Sequence, residues 1–221
     1  GRHIAYVARS GSKEFLVLDG TEGTVFDQVF SITWSRDSRR LAYAATMGGE
    51  QFLVLDGKRG KAYDEIIEGS IAFSPDCGHL AYVGESSGQL FAVIDEKEGS
   101  RYKDIVNGAI IFSPDSRRTA YWAYVDGGDF MVVDGKEHGL NFDNVSSPVF
   151  SPDSRRLAYC LVTANKSFLV VDSTKGHPYD LILGGGFAFD APDRLHYLVL
   201  SGNEFYMIDE RLRKEYTGRR R

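Results

Sequence analysis

The stretch Phe150-Ser151-Pro152-Asp153-Ser154-Arg155-Arg156-Leu157-Ala158-Tyr159 most limits what this chain can fold into, because it recurs. Residues 112–121 are a near-copy, and altered copies stand at 34–43 and 73–82. A fixed internal period means that each unit is one supersecondary element whose apolar face is buried only against its neighbours. The tyrosines that close the copies, Tyr6, Tyr43, Tyr82, Tyr121, Tyr159 and Tyr197, are 37, 39, 39, 38 and 38 residues apart, so the unit is about 38 residues long.

Within each unit an aromatic-led apolar run follows the tyrosine, as in Phe52-Leu53-Val54-Leu55 and Phe168-Leu169-Val170-Val171. Each run closes on an aspartate: Asp19, Asp56, Asp95, Asp134, Asp172 or Asp209. A short aromatic segment comes next, such as Ala62-Tyr63-Asp64 or Phe142-Asp143, and then a segment rich in isoleucine and phenylalanine that leads into Ser-Pro-Asp. Short runs separated by turn residues, with no long stretch of helical period, predict four strands per unit. In Ser-Pro-Asp-Ser the proline presets a tight turn and the aspartate bonds its own backbone. The glycines of Asp56-Gly57 and Asp134-Gly135 supply the positive backbone angles of a hairpin.

A strand with one wet face alternates apolar and polar residues, whereas Phe168-Leu169-Val170-Val171 is apolar throughout and must be covered on both sides. Four-stranded sheets of this size stacked face to face are the blades of a β-propeller. The Phe-Ser-Pro-Asp turn, the Ala-Tyr strand and the aromatic-Val-Val-Asp strand resemble the repeats of TolB-like propellers and of the propeller domains of prolyl-oligopeptidase-type serine peptidases. The resemblance spans nearly the whole chain. A repeat running from end to end predicts a single all-β domain over residues 1–221, and counting strands predicts a closed propeller of six blades of four antiparallel strands. Gly1 aligns with the residue just after Ser-Pro-Asp in the other copies, so the first blade is expected to lack its inner strand unless residues precede it. The sixth blade departs furthest, with Phe189-Asp190-Ala191-Pro192-Asp193 stretching the turn.

Composition narrows function mainly by exclusion. A net charge of −5 offers no basic footprint for nucleic acid, and the bases at the C-terminal end, Arg211, Arg213, Lys214, Arg219, Arg220 and Arg221, read as a solvated tail. No apolar run is long enough to span a membrane as a helix. Cys77 and Cys160 fall at non-equivalent places in the repeat, so no disulfide or zinc site is expected and the redox compartment stays open.

Chemistry-bearing patterns are sparse. Gly84-Glu85-Ser86-Ser87-Gly88 matches a nucleophile elbow, but it links two strands where the elbow needs a strand and a helix. His3, His79, His138, His177 and His196 are scattered, without the paired spacing of metal ligands. Asp27, Asp64, Asp143 and Asp180 recur after the outer-strand aromatics, and are expected on the periphery, too far apart to act as a pair. The inner-strand entrances are expected at Gly69-Ser70, Gly108-Ala109, Ser146-Ser147-Pro148 and Gly184-Gly185-Gly186, all chemically mute. The sequons at Asn144 and Asn165 carry no weight on their own.

These readings predict no catalytic residues, no metal and no cofactor. They predict a non-catalytic scaffold that binds a protein or peptide; the repeat does not dictate an oligomeric state. The alternative is the substrate-gating propeller of a larger serine hydrolase whose catalytic domain lies outside this chain, which the length of the reading frame decides. The loops after the Ala-Tyr strands carry Glu50, Glu85, Asp126, Asp129 and Glu204, with Tyr124 and Trp122 nearby, against few bases, chiefly Arg9, Lys13 and Lys166. That acidic end, with Glu50, Glu85, Tyr124, Asp126 and Asp129 as its binding residues, is expected to dock a cationic or peptide partner. The opposite end carries the pairs Arg39-Arg40, Arg117-Arg118 and Arg155-Arg156.

Overall fold

A computed structural model of the chain describes residues 3–105, 109–126, 128–140 and 144–212. Phe142, Asp143, Gly108 and the tail bases from Arg213 onward lie outside the described residues, and so does the side chain of Asn144. The chain divides into two compact units, one of Gly1–Phe112 with Thr119–Gly139 and one of Ser113–Arg118 with Leu140–Arg221.

Among the described residues every regular element is a strand, and the strands form six antiparallel sheets in sequence order. The first sheet holds Ala5–Ser10, Lys13–Leu18 and Thr21–Phe26, the three strands expected of a blade without its first. The second holds four: Gln28–Trp34, Leu41–Met47, Glu50–Leu55 and Lys58–Tyr63. The third, fourth and fifth keep this plan with the first strand in two pieces, as in Glu65–Ile66 and Ala72–Phe73, which both pair with Leu80–Ser86. The sixth departs from the expected four strands. Its described residues form three: Leu181–Ala191, Arg194–Ser201 and Glu204–Arg211. There the first strand runs on to the tip of the stretched turn, shifting register on the way, and His196 Nδ1 bonds Asp190 at 2.8 Å.

The Ser-Pro-Asp turn is held by its serine. Ser35, Ser74, Ser113 and Ser151 each donate Oγ–H to the aspartate two residues on, at 2.7, 2.6, 2.6 and 2.7 Å. The same oxygen accepts the backbone N–H of the residue five on, at 2.9, 2.9, 3.0 and 3.0 Å. All four serines are buried, so the turn satisfies its polar groups internally. This serine bond is the main cause that draws the carboxyls of Asp37, Asp115 and Asp153 below their ordinary value of 3.8. A depressed carboxyl adds stability above its unfolded value and loses it as pH falls through the folded value. The denaturation midpoint is therefore expected to hold from neutrality down to about pH 4 and to fall below that. A midpoint that rises on acidification contradicts the turn account.

The aspartate that ends each third strand does more than close a hairpin. Asp56 donates its N–H to Leu41 O at 2.9 Å, while its Oδ1 accepts Leu41 N–H at 2.9 Å. Asp19, Asp95, Asp134 and Asp172 make the same two-way bond with Ile4, Leu80, Thr119 and Leu157. The aspartate and the residue after it both take positive φ, 50° and 77° at Asp56-Gly57, which is the mirror-image turn that strand twist favours. A base just before the second strand meets the other carboxylate oxygen: His3, Arg40, His79 and Arg156 face Asp19, Asp56, Asp95 and Asp172. Arg40 and Arg118 also reach the following turn, Arg40 bonding Cys77 O at 3.2 Å and Arg118 bonding Arg155 O at 3.0 Å. The second arginine of each of these pairs thus works inside the fold.

The second strand of the second sheet feeds two cores. Leu41, Tyr43 and Ala45 pack with Leu16, Phe26 and Val29 of the first sheet's side, while Ala42 and Ala44 of the same strand pack with Ile66, Leu80, Phe91 and Val93 of the third. This is the cover on both faces that the unbroken apolar runs demand. In the second unit Ala158, Cys160 and Leu169 pack likewise with Ile182, Leu195, Tyr197 and Val199. The outer strand reaches its neighbour through a bulge beside Phe15/Val17, where a Cβ on Gly23 would stand 3.0 Å from Leu16 O. A side chain there would have to push Leu16 O aside by a few tenths of an ångström.

Candidate functional site

In such a meander the hairpin between the second and third strands and the entry to the first strand share one end of the sheet. The entries are not where the small residues stand. The first strands begin at Gln28, Glu65, Asp104 and Leu181, several residues earlier than expected. Gly69-Ser70 and Ser146 sit instead at the break inside the first strand, where Ser70 Oγ accepts Val83 N–H at 3.0 Å and Ser146 Oγ accepts Cys160 N–H at 2.9 Å.

The outer-strand carboxylates are therefore not peripheral. Asp27, Asp64 and Asp180 stand at the entries, and each accepts a backbone N–H from the hairpin tip of the sheet it opens: Gly48 at 2.7 Å, Ser87 at 2.7 Å and Gly202 at 2.6 Å. Lys13 and Lys166 pair with Asp27 and Asp180, and Arg9 pairs with Glu14 at 2.6 Å. These contacts hold the carboxyls of Asp27 and Asp180 below the usual range, chiefly through the lysine bonds. Ser87-Gly88, both with positive φ, forms a hairpin tip, and Ser86 ends its strand beside it.

Glu50 and Glu85 lie at this end of the second and third sheets, and Tyr124, Asp126 and Asp129 share one hairpin of the fourth. Glu50 is exposed and Glu85 half-buried. Asp126 is engaged: Lys103 Nζ bonds it at 2.7 Å and lies 6.0 Å from the Tyr124 ring. Trp122 is buried and offers a partner nothing. Asp129 pairs across the strands with Tyr124, and burial alone pushes its carboxyl up.

Two further carboxylates escaped the sequence reading. Glu65 lies directly across from Glu85, and Asp104 directly across from Tyr124, so the row Asp104, Tyr124, Asp129 carries an acid on each flank. Like charges directly opposite destabilise a sheet. Both residues follow the entry position, Asp64 and Lys103, and that spacing was the signal available. Among the described residues no three His, Cys, Asp or Glu side chains are placed to hold a metal ion. No helix is long and apolar enough to cross a membrane.

No family model matches the chain, and no curated protein matches it. Solved structures do. The chain is 17% identical to TolB from Acinetobacter baumannii over 95% of its own length and 63% of that chain, with a TM-score of 0.44. It is 13% identical to the β-propeller domain of the Trilobed protease from Pyrococcus furiosus, covering 95% of this chain and 79% of that one at a TM-score of 0.47. A eukaryotic initiation factor gives 14% identity, 94% and 60% coverage and a TM-score of 0.51. The chain spans less than two thirds of the TolB and initiation-factor chains, and at these identities the likeness concerns fold alone. The second-to-third-strand hairpins form the candidate partner-binding end, where Arg9, Lys13 and Lys103 pair with carboxylates and Arg101 bonds Ser86 O at 3.3 Å.

Proposed function

We propose that this chain is a non-catalytic scaffold, a closed six-bladed propeller that binds a cationic protein or peptide segment at its acidic hairpin end. The observation that carries the reading is the uncompensated cross-strand pair Glu65 and Glu85. Two carboxylates placed directly opposite, neither in an ion pair with a base among the described residues, weaken the sheet that holds them, and an incoming lysine or arginine reverses that cost. Glu50 and Asp129 add to the same end, and Asp126 contributes less because Lys103 already neutralises it. Rim charges of this kind act mainly on association rate and salt dependence. Reversing Glu50, Glu85 and Asp129 to lysine is expected to remove partners captured from the source cell. An unchanged set of partners sinks the proposal.

A further inference from the structure

The first unit contains a cleft of about 610 Å³ between its first two sheets, at the Asp-Gly-turn end and away from the acidic hairpins. Leu16, Leu18, Leu41 and Trp34 form its apolar wall, and Tyr43 stands among them. The size falls within the ordinary range for small-molecule sites.

Tyr43 distinguishes this cleft from its counterparts. At the equivalent place between the second and third sheets, Tyr82 Oη–H bonds Tyr63 Oη at 3.3 Å. Tyr197 likewise bonds Glu210 at 2.8 Å, and beside Tyr121 the outer strand again supplies a tyrosine, Tyr102, 6.2 Å away and edge-on. Beside Tyr43 the outer strand supplies Phe26, its ring 6.3 Å away and edge-on, with no oxygen to offer. The Tyr43 hydroxyl has no partner among the described residues, although the side chain is only 4% exposed. Among the described residues no fully buried side-chain oxygen lacks a partner, so the part of Tyr43 that remains open is the hydroxyl, and it opens on the cleft it lines.

A hydroxyl set in an apolar wall and open to the cleft offers an occupant a hydrogen-bond donor that a phenylalanine would lack. Of the charged lining residues, His3 pairs with Asp19, Asp56 with Arg40 and Arg39 with Asp37, and Glu22 is exposed to solvent, so the apolar wall decides the choice and favours a neutral occupant. We propose that it binds a small, mainly apolar aryl ketone, whose ring lies against Trp34 and the leucines and whose carbonyl oxygen accepts the Tyr43 hydroxyl. This site is independent of the partner-binding reading above.

The test is a fluorine-NMR titration of the whole chain with 4-fluoroacetophenone. The native protein is expected to bind, and Tyr43→Phe to bind roughly five- to tenfold more weakly while keeping or raising its thermal midpoint. Thr24→Trp, at an exposed lining position, is expected to abolish binding without unfolding, and Tyr82→Phe to leave affinity unchanged. Absence of saturable binding to the native protein overturns the proposal. So does equal affinity in Tyr43→Phe, which would mean that solvent is the hydroxyl's only partner, and so does undiminished binding in Thr24→Trp.

Discussion

Leu169→Ala is expected to lower folding free energy by about 2–5 kcal/mol, the range for a buried leucine whose cavity the surroundings do not refill. Leu169 is 3% exposed and packs against Leu195, Tyr197 and Val199, so the change opens a hole between two sheets rather than within one. Phe150→Ala should fall in the same range, since Phe150 is also buried and carries the Arg118 guanidinium 5.2 Å above its ring. Asp134→Ala should cost less, because it removes one carboxylate bond to Thr119 N–H and leaves the backbone half of that clamp intact. Urea denaturation of the three variants checks the order. Equal losses would show that the aspartate clamp carries as much as the core.

Ser151→Ala is expected to cost about 1–3 kcal/mol, although it removes one oxygen from a loop. The oxygen is buried and serves two partners, donating to Asp153 Oδ1 and accepting Arg156 N–H, so its loss leaves a donor and a carboxylate short. Ser113→Ala should behave alike, because the same two bonds recur there. In both variants the Asp153 or Asp115 carboxyl loses the main cause of its depression, so the fall in stability at acid pH should become shallower. A loss below about half a kcal/mol at neutral pH would show that water replaces the serine.

What the sequence revealed was what local chemistry decides. Ser-Pro-Asp-Ser and Asp-Gly set backbone angles within a few residues, and the apolar runs announced two covered faces, so strand order and turns were legible. The entries to the first strands were not. Gly69, at φ 78°, looks locally like a strand's start, yet Ile66 already pairs with Gly84, a contact that only the folded sheet decides. The misplaced entries hid Glu65 and Asp104 and put Asp27, Asp64 and Asp180 on the wrong edge. His3 and His79 read as stray histidines because their role is columnar: each occupies the place of Arg40 and bonds the clamp aspartate at 2.6 Å. Tyr124, Asp126 and Asp129 were found together because one hairpin carries them, whereas the engagement of Asp126 by Lys103 spans 23 residues.

The measurement that bears most directly on the account is fluorescence anisotropy of a labelled lysine- and arginine-rich peptide titrated with the native chain and with the Glu65→Gln, Glu85→Gln double variant. The account predicts binding to the native chain that weakens as salt is raised. It also predicts loss of that binding in the double variant, with stability equal or greater because the repulsion between the two carboxylates is gone. Equal binding by both proteins, or binding indifferent to salt, would contradict it.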